Sequence, residues 1–166
     1  RISGFIPQNG NAYLEGLGDA WAPVRAYWDE PSAAHRQAVS DAILNLEGTQ
    51  RQYLHGVSDP TSVAPEGYQL DALLMERPEN REIQLDLFLD YANNLTRYPA
   101  FQAFFRAVQP PALIIWGKHD PFFIPPVAEA YKRDNPNAVV ELLDNGYLAP
   151  ETHVGYIAQR IREVLS

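Results

Sequence analysis

The chain has no cysteine and a single methionine among its 166 residues. Disulfides, thiolate metal sites and a cysteine nucleophile are therefore closed to it. Positive charge is also scarce: 13 Lys and Arg against 21 Asp and Glu leave a formal net charge of -8. That balance opposes an electrostatic hold on nucleic-acid phosphates or anionic lipid, so neither nucleic acid nor a membrane surface is an expected partner. No apolar run approaches the roughly 18 residues needed to cross a bilayer, and the amino terminus lacks a basic stretch ahead of an apolar core. No targeting signal is visible, and the cytoplasm is the expected location. The spacings H-x-x-x-H and H-E-x-x-H do not occur, nor does a phosphate-cradling glycine loop. No metal and no cofactor is expected. What is present, 46% hydrophobic and 20% charged residues over a length suited to one domain, is the profile of a globular protein.

The most informative stretch lies near the end. The apolar run Ala112-Leu113-Ile114-Ile115-Trp116 delivers the turn Gly117-Lys118-His119-Asp120-Pro121-Phe122-Phe123, which reads as a strand that stops to present an acid. A second β-rich run over residues 138–143 ends in the same manner at Asp144-Asn145-Gly146-Tyr147, and a helix follows each turn. The last helix begins at Pro150, a good first-turn residue, with Val154, Ile157, Ile161 and Val164 or Leu165 expected on its buried face. At the other end, residues 2–6 form a short apolar run closed by Pro7 and the turn-prone Gln8-Asn9-Gly10-Asn11, which predicts a buried strand running into a loop.

Between these ends, residues 17–108 show helical spacing. Trp21, Val24, Tyr27 and Trp28 fall three or four apart, as do Ile43, Leu46 and Gln50, and then Ile83, Leu87, Asp90 and Tyr91. Ser58-Asp59-Pro60-Thr61 and Pro65-Glu66-Gly67 are expected to break the block. The order is thus one strand, a helical insertion of about ninety residues, and two more strands each trailed by a helix. The predicted class is α/β with about three parallel strands, residues 1–16 and 109–166 forming the sheet unit and 17–108 a helical cap. Three parallel strands make a poor sheet alone, because one edge of an apolar strand stays open. Either another half of the sheet or self-association through that edge is expected.

The two turns, taken with Leu148-Ala149-Pro150-Glu151-Thr152-His153, resemble the carboxyl-terminal half of an α/β-hydrolase of the haloalkane dehalogenase and epoxide hydrolase branch. The resemblance covers the whole chain. It implies a partial α/β-hydrolase fold with a helical cap, and a small apolar ester, epoxide or halide as substrate. By this resemblance Asp120 stands where the triad acid stands, and Tyr147 stands where an aspartate, a variable residue and a glycine normally precede the catalytic histidine.

Tyrosine there changes the chemistry. A general base must accept and return a proton at working pH, which imidazole near pKa ~6.5 does and a phenol near ~10 does not. A phenol can still hydrogen-bond Asp120. The nucleophile is absent too: its elbow has the form G-x-S-x-G or carries aspartate at its centre, and no two glycines here stand four apart. The chain alone is expected to be inactive.

Each candidate carries a plainer alternative. Asp120 is a triad acid by resemblance or a turn residue capping the next helix, and Tyr147 is a pocket floor or a hydrogen-bonding group. Trp21, Tyr13 and Tyr53 belong to an aromatic set, with Tyr68, Tyr91 and Trp28, that forms either plain core or the wall of an apolar pocket. The resemblance adds a proton-donating alternative for Tyr13 or Tyr53. Asn9 and Asn11 follow the first strand where relatives contact substrate, and Phe122 follows the acid. His153, His119, His35 and His55 read as surface, capping or core residues. Two functions follow: a hydrolase portion that needs a nucleophile-bearing half, or a non-catalytic module that binds an apolar ligand or a partner.

Overall fold

The computed structural model describes residues 2–165. Six helices come first: α1 Ala22–Asp29, α2 Ala33–Ile43, α3 Leu46–Leu54, α4 Pro65–Met75, α5 Pro78–Asp90 and α6 Ala92–Val108. Then β1 Leu113–Gly117, α7 Pro126–Asp134, β2 Val139–Leu143 and α8 Pro150–Leu165 alternate. The sequence marks these boundaries by known chemistry. Proline opens α1, α4, α5 and α7 within the first two positions, where its missing N–H is not needed. Ser32 caps α2 by accepting from the His35 N–H, and Asn45 caps α3 by accepting from the Gly48 N–H. α6 ends on Gln109 in the left-handed region at φ 47°, and two prolines then prevent any continuation.

β1 and β2 pair in parallel, Leu113 beside Val139 through Gly117 beside Leu143. Along the other side of β1 runs the first segment, bridged in parallel at Phe5 with Ala112 and at Gln8 with Ile115. It is not a regular strand, and Pro7 supplies the reason. Phe5 donates to the Pro111 carbonyl, Leu113 to Phe5, Ile115 to Pro7 and Asn9 to Ile115, so only the bond that Pro7 cannot donate is missing from the ladder. The three parallel segments are in place, with β1 in the middle.

All five residues of β1 are buried, as a central parallel strand requires. Its alternate side chains feed two cores. On one face Ala112, Ile114 and Trp116 join Phe105 of α6, Val127, Ala128 and Tyr131 of α7, and Trp21, Val24 and Tyr27. On the other, Leu113 and Ile115 meet Leu143 and Ile157, with Ile6, Ile161 and Val164 packed against them.

Several expected faces differ. Ile2 is 53% exposed and Phe5 and Ile6 only half-buried, because among the described residues nothing pairs with this segment on its outer side. In α5, Ile83 and Leu87 face outward while Leu85, Phe88 and Leu89 pack inward. Leu46 is exposed at the start of α3, and Ile43 belongs to the end of α2, so that spacing runs across a helix boundary. Pro65-Glu66-Gly67 is the first turn of α4 rather than a break. Val154 is 66% exposed rather than on the buried stripe of Ile157 and Ile161, and it directly follows a kink in α8 at His153 (φ -118°, ψ 19°). Among the described residues no helix is long and apolar enough to cross a membrane, and no three His, Asp or Glu side chains cluster in the manner of a metal site.

Candidate active site

The turns after β1 and β2 are zipped together at the carboxyl ends of the strands. Lys118 donates its N–H to the Leu143 carbonyl at 2.9 Å and His119 to the Asn145 carbonyl at 3.0 Å. Close approach of backbone requires glycine at both contact points. A Cβ on Gly117 would lie 1.8 Å from the Gly146 carbonyl oxygen, and one on Gly146 would lie 1.8 Å from the carbonyl oxygen of His55. The second contact fixes the end of α3 over the β2 turn. The side chain of Asn145, 1% exposed, holds that turn from within, accepting from the Gly146 N–H and donating to Thr152.

Asp120 is 3% exposed. One carboxylate oxygen accepts from the Asn9 amide at 2.6 Å and the other from the Phe122 N–H at 2.7 Å. Burial pushes its pKa up to about 6, against the hydrogen bonds from Asn9 and the backbone that favour the charged form. Asn9 sits in the left-handed region at φ 51°, which a short amide side chain tolerates. Its Oδ1 accepts from the Gly117 N–H at 3.1 Å, so one side chain joins the end of β1 to the acid. The loop beyond Asp120 is equally fixed: the Trp116 indole donates to the Phe123 carbonyl, and the Gly18 N–H donates to the Phe122 carbonyl.

Tyr147 is half-buried, with the Phe122 ring edge-on at 5.6 Å and the Phe123 ring at 6.1 Å. Burial raises its pKa, and the charge of Asp120 adds to the rise. Asp120 and Tyr147 are thus electrostatic neighbours, but the carboxylate's hydrogen bonds go to Asn9 and backbone, and no bond joins it to the phenol among the described residues.

Tyr147 forms part of the wall of a cavity of about 210 Å³ under the helical block. Trp21, Phe88, Tyr91, Phe122 and Phe123 line it with Val24 and Ile43, and Gln52 adds one amide. Trp21 packs at 4.8 Å from Tyr91 and 5.3 Å from Phe123, so core and cavity wall are one aromatic cluster. The Tyr91 hydroxyl is spent on Tyr98, to which Asn11 donates in turn. Burial, with that hydrogen bond second, drives the Tyr91 hydroxyl far above its usual range.

The sequence candidates therefore separate. Tyr147, Trp21 and Phe122 line the cavity, and Asp120 acts on it through its charge beside Tyr147 and its bond to the Phe122 N–H. Asn9 lies below, with both ends of its amide engaged, and Asn11 reaches the wall only through Tyr98 and Tyr91. Tyr13 is fully buried outside the cavity lining, against Tyr131 and beneath the Arg133 guanidinium. Tyr53 donates to Asp71 and lines an adjoining cavity behind Ile43, Gln52 and Phe88; burial and then Asp71 push it up to about 12. His119 pairs with Asp144 on the surface, and His153 contacts Thr152 and Asn145. Tyr91, of the aromatic set, is a wall residue as expected; Phe88 and Phe123 join the wall without having been singled out by spacing, and Asn145 carries a local signal only in the glycine that follows it.

No family model matches the chain. It is 44% identical over 165 residues to the uncharacterized hydrolase YNR064C of Saccharomyces cerevisiae, a match that takes in 97% of the chain and 57% of the yeast protein. Among solved structures it is similar to a lipase candidate of Acinetobacter baumannii AYE, with a TM-score of 0.62 at 17% identity over 99% of the chain and 52% of that protein. It is also similar to a thermophilic esterase from Thermogutta terrifontis, with a TM-score of 0.56 at 18% identity over 98% of the chain and 55% of the esterase. The chain spans little more than half the length of each. Its architecture is a partial α/β-hydrolase fold, and the chain is hydrolase-like.

Proposed function

We propose that the chain is the carboxyl-terminal portion of a hydrolase acting on a small apolar ester, epoxide or halide, with residues 17–108 as the cap over the substrate. The observation that carries this reading is the buried carboxylate of Asp120. It is held by Asn9 and Phe122 at the end of a central parallel strand, and its neighbours Phe122 and Tyr147 line an aromatic cavity. Ligands in open α/β sheets bind outside the carboxyl ends of the strands. The chain's residues supply an acid able to orient and charge-balance a base, and a largely apolar cavity. They supply neither an elbow nucleophile nor an imidazole at residue 147, so on this reading the attacking group comes from a nucleophile-bearing half.

A specific observation favours a second reading, a non-catalytic module that binds an apolar ligand. Tyr147 occupies the cavity wall with its acidity suppressed by burial and by Asp120, which suits a binding surface better than proton transfer. Turnover of p-nitrophenyl acetate and of styrene oxide separates the two. It is measured on the chain and on the chain mixed with a nucleophile-bearing half, each with and without Tyr147→His. Activity confined to mixtures containing the Tyr147→His chain supports the hydrolase ancestry of the site with its base lost. Activity with Tyr147 in place supports a working hydrolase whose base comes from the other half. Silence in every arm favours the binding module.

A further inference from the structure

The aromatic cavity has a neighbour of the opposite character. Three of its wall residues, Ile43, Gln52 and Phe88, also line a second cavity of about 260 Å³ among α2, α3, α4 and α5. The second cavity adds the polar groups of Thr49, Tyr53, Asp71 and Gln84 to the amide of Gln52. A molecule reaching past those three shared side chains has aromatic rings around one end and hydrogen-bonding groups around the other.

The polar end is held in place. The Tyr53 ring lies edge-on to Tyr68 at 5.9 Å, and glycine at residue 67 gives it room, since a Cβ there would come within 3.1 Å of the ring. So placed, the Tyr53 hydroxyl donates to Asp71 Oδ2 at 2.7 Å. That bond orients the carboxylate and leaves its second oxygen free of hydrogen bonds among the described residues. The Thr49 hydroxyl is spent on the Asn45 carbonyl, whereas the amides of Gln52 and Gln84 bond no protein group among the described residues. Asp71 is exposed and Gln52 half-buried, so the carboxylate stands on the solvent side of the partition.

Charge decides what the polar end accepts. Among the described residues no Lys, Arg or His lines either cavity, and Asp71 is the charged residue of the pair. At the aromatic end the charge of Asp120 acts on Tyr147. Both carboxylates favour a cation over an anion. A third cavity shares Ala20, Ile43 and Phe122 with the aromatic one and brings Arg51 and His55, but Arg51 donates to the Ala42 carbonyl and Asp19 opposes its charge. An anionic group is therefore served less well than an ammonium.

We propose that the paired cavities take an elongated amphipathic cation, its apolar body among the aromatic rings, its primary ammonium at Asp71, and Gln52 at the partition between them. The inference rests on the reading of the aromatic cavity as the place of an apolar substrate and gives that substrate one charged end. Its test measures binding without turnover, so failure of hydrolysis and failure of the ammonium preference are separate results.

The probes are phenylbutylamine, phenylbutanol and phenylbutyrate, each with a terminal phenyl ring, titrated into the chain at low salt by calorimetry. The amine should bind about threefold to fivefold more tightly than the alcohol, the reach of an ion pair at an exposed carboxylate, and the acid should bind no better than the alcohol. Added salt should erase the preference. Asp71→Asn can still accept from Tyr53, so it should abolish the preference and leave the affinity for the alcohol unchanged; Tyr53→Phe, which frees the carboxylate to turn, should reduce the preference in part. Nuclear Overhauser contacts from the phenyl protons to the Trp21 and Phe123 rings are expected. Melting curves report whether each variant stays folded, and the comparison of the three probes with its salt dependence needs no variant. Absence of binding, equal affinity for amine and alcohol, or a preference that survives Asp71→Asn or high salt would overturn the proposal. So would phenyl contacts away from Trp21 and Phe123, or tighter binding of the acid, which would put the polar end at Arg51 and His55 instead.

Discussion

The turn that ends β1 and the turn that ends β2 occupy equivalent places at the carboxyl ends of neighbouring parallel strands, and they are finished differently. In the first, the functional side chain is fully engaged: both oxygens of Asp120 accept hydrogen bonds, and the loop behind it is pinned by Trp116 and Gly18. In the second, the backbone is as firmly held, by Asn145 and by the Gly146 approach to His55. Its side chain, Tyr147, instead meets its neighbours through ring contacts and the field of Asp120. The backbone of a two-part site is thus firmly held on both sides, while its chemistry is specified on one side only. Hydrogen-bond networks of the first kind are costly to break because each member leaves another unpartnered. A side chain of the second kind can change with little effect on the fold.

The comparison is broken most severely at Gly146. The clash of Gly146→Ala is with backbone, the His55 carbonyl, and no side-chain rotation relieves it. We expect a loss of more than ~3 kcal/mol, read as a drop in the urea midpoint together with loss of near-ultraviolet circular dichroism. An unchanged midpoint would show that the end of α3 does not rest on this turn. Next comes Asn9→Ala, which strands the Gly117 N–H and one oxygen of Asp120 and leaves alanine at a positive φ. The expected cost is about 3 kcal/mol. Asn9→Gly accepts the backbone angle but still loses the bonds, so it should recover part of that cost and no more. With the Asn9 bond gone, the Asp120 carboxyl should titrate higher than in the parent, by carbonyl-region NMR.

Asp120 also makes a prediction about pH. Its folded pKa, about 6, lies above the ordinary carboxylate value of 3.8. The folded state therefore holds a proton that the unfolded state has released between those limits, and stability falls as pH rises through that window. The penalty is complete above about pH 6 and absent below the unfolded value. Asp120→Asn should flatten the dependence of Tm on pH between 4 and 6.5 relative to the parent. The full penalty is on the order of 2–3 kcal/mol, and the variant recovers only part of it, since its amide cannot accept at both ends. Parallel curves for the two proteins would place the titration elsewhere.

Much of this arrangement was legible in the sequence, and what escaped has identifiable causes. The apolar run before Gly117 and the proline at residue 150 located β1 and α8, because a buried central strand and a helix start each carry a local signal. The segment before Asn9 was legible as a third parallel element, and an open apolar edge was expected of such a sheet, but the apolar run alone read as buried where Ile2 is 53% exposed. In α5 the residues Ile83, Leu85, Leu87, Phe88 and Leu89 are apolar on several sides at once, so spacing alone could not choose the buried face. Asn9 was singled out for its place after a strand. Its actual bonds, to residues more than a hundred positions away, depend on a positive φ and a register that only the folded chain reveals.

The smallest expected effect falls on the second turn. Tyr147→Phe removes a hydroxyl that has no bond to Asp120, so it should change stability by less than about 0.5 kcal/mol while keeping the contacts with Phe122 and Phe123. It sharpens the comparison all the same. The charge of Asp120 raises the pKa of the phenol, and by reciprocity ionisation of that phenol disfavours charge on Asp120. At pH 5 to 7, however, the phenol is neutral in parent and variant alike. The titration of Asp120 should therefore be the same in both. A clear shift in the variant would mean that the hydroxyl does reach the carboxylate in solution, which would make the second turn as chemically specified as the first.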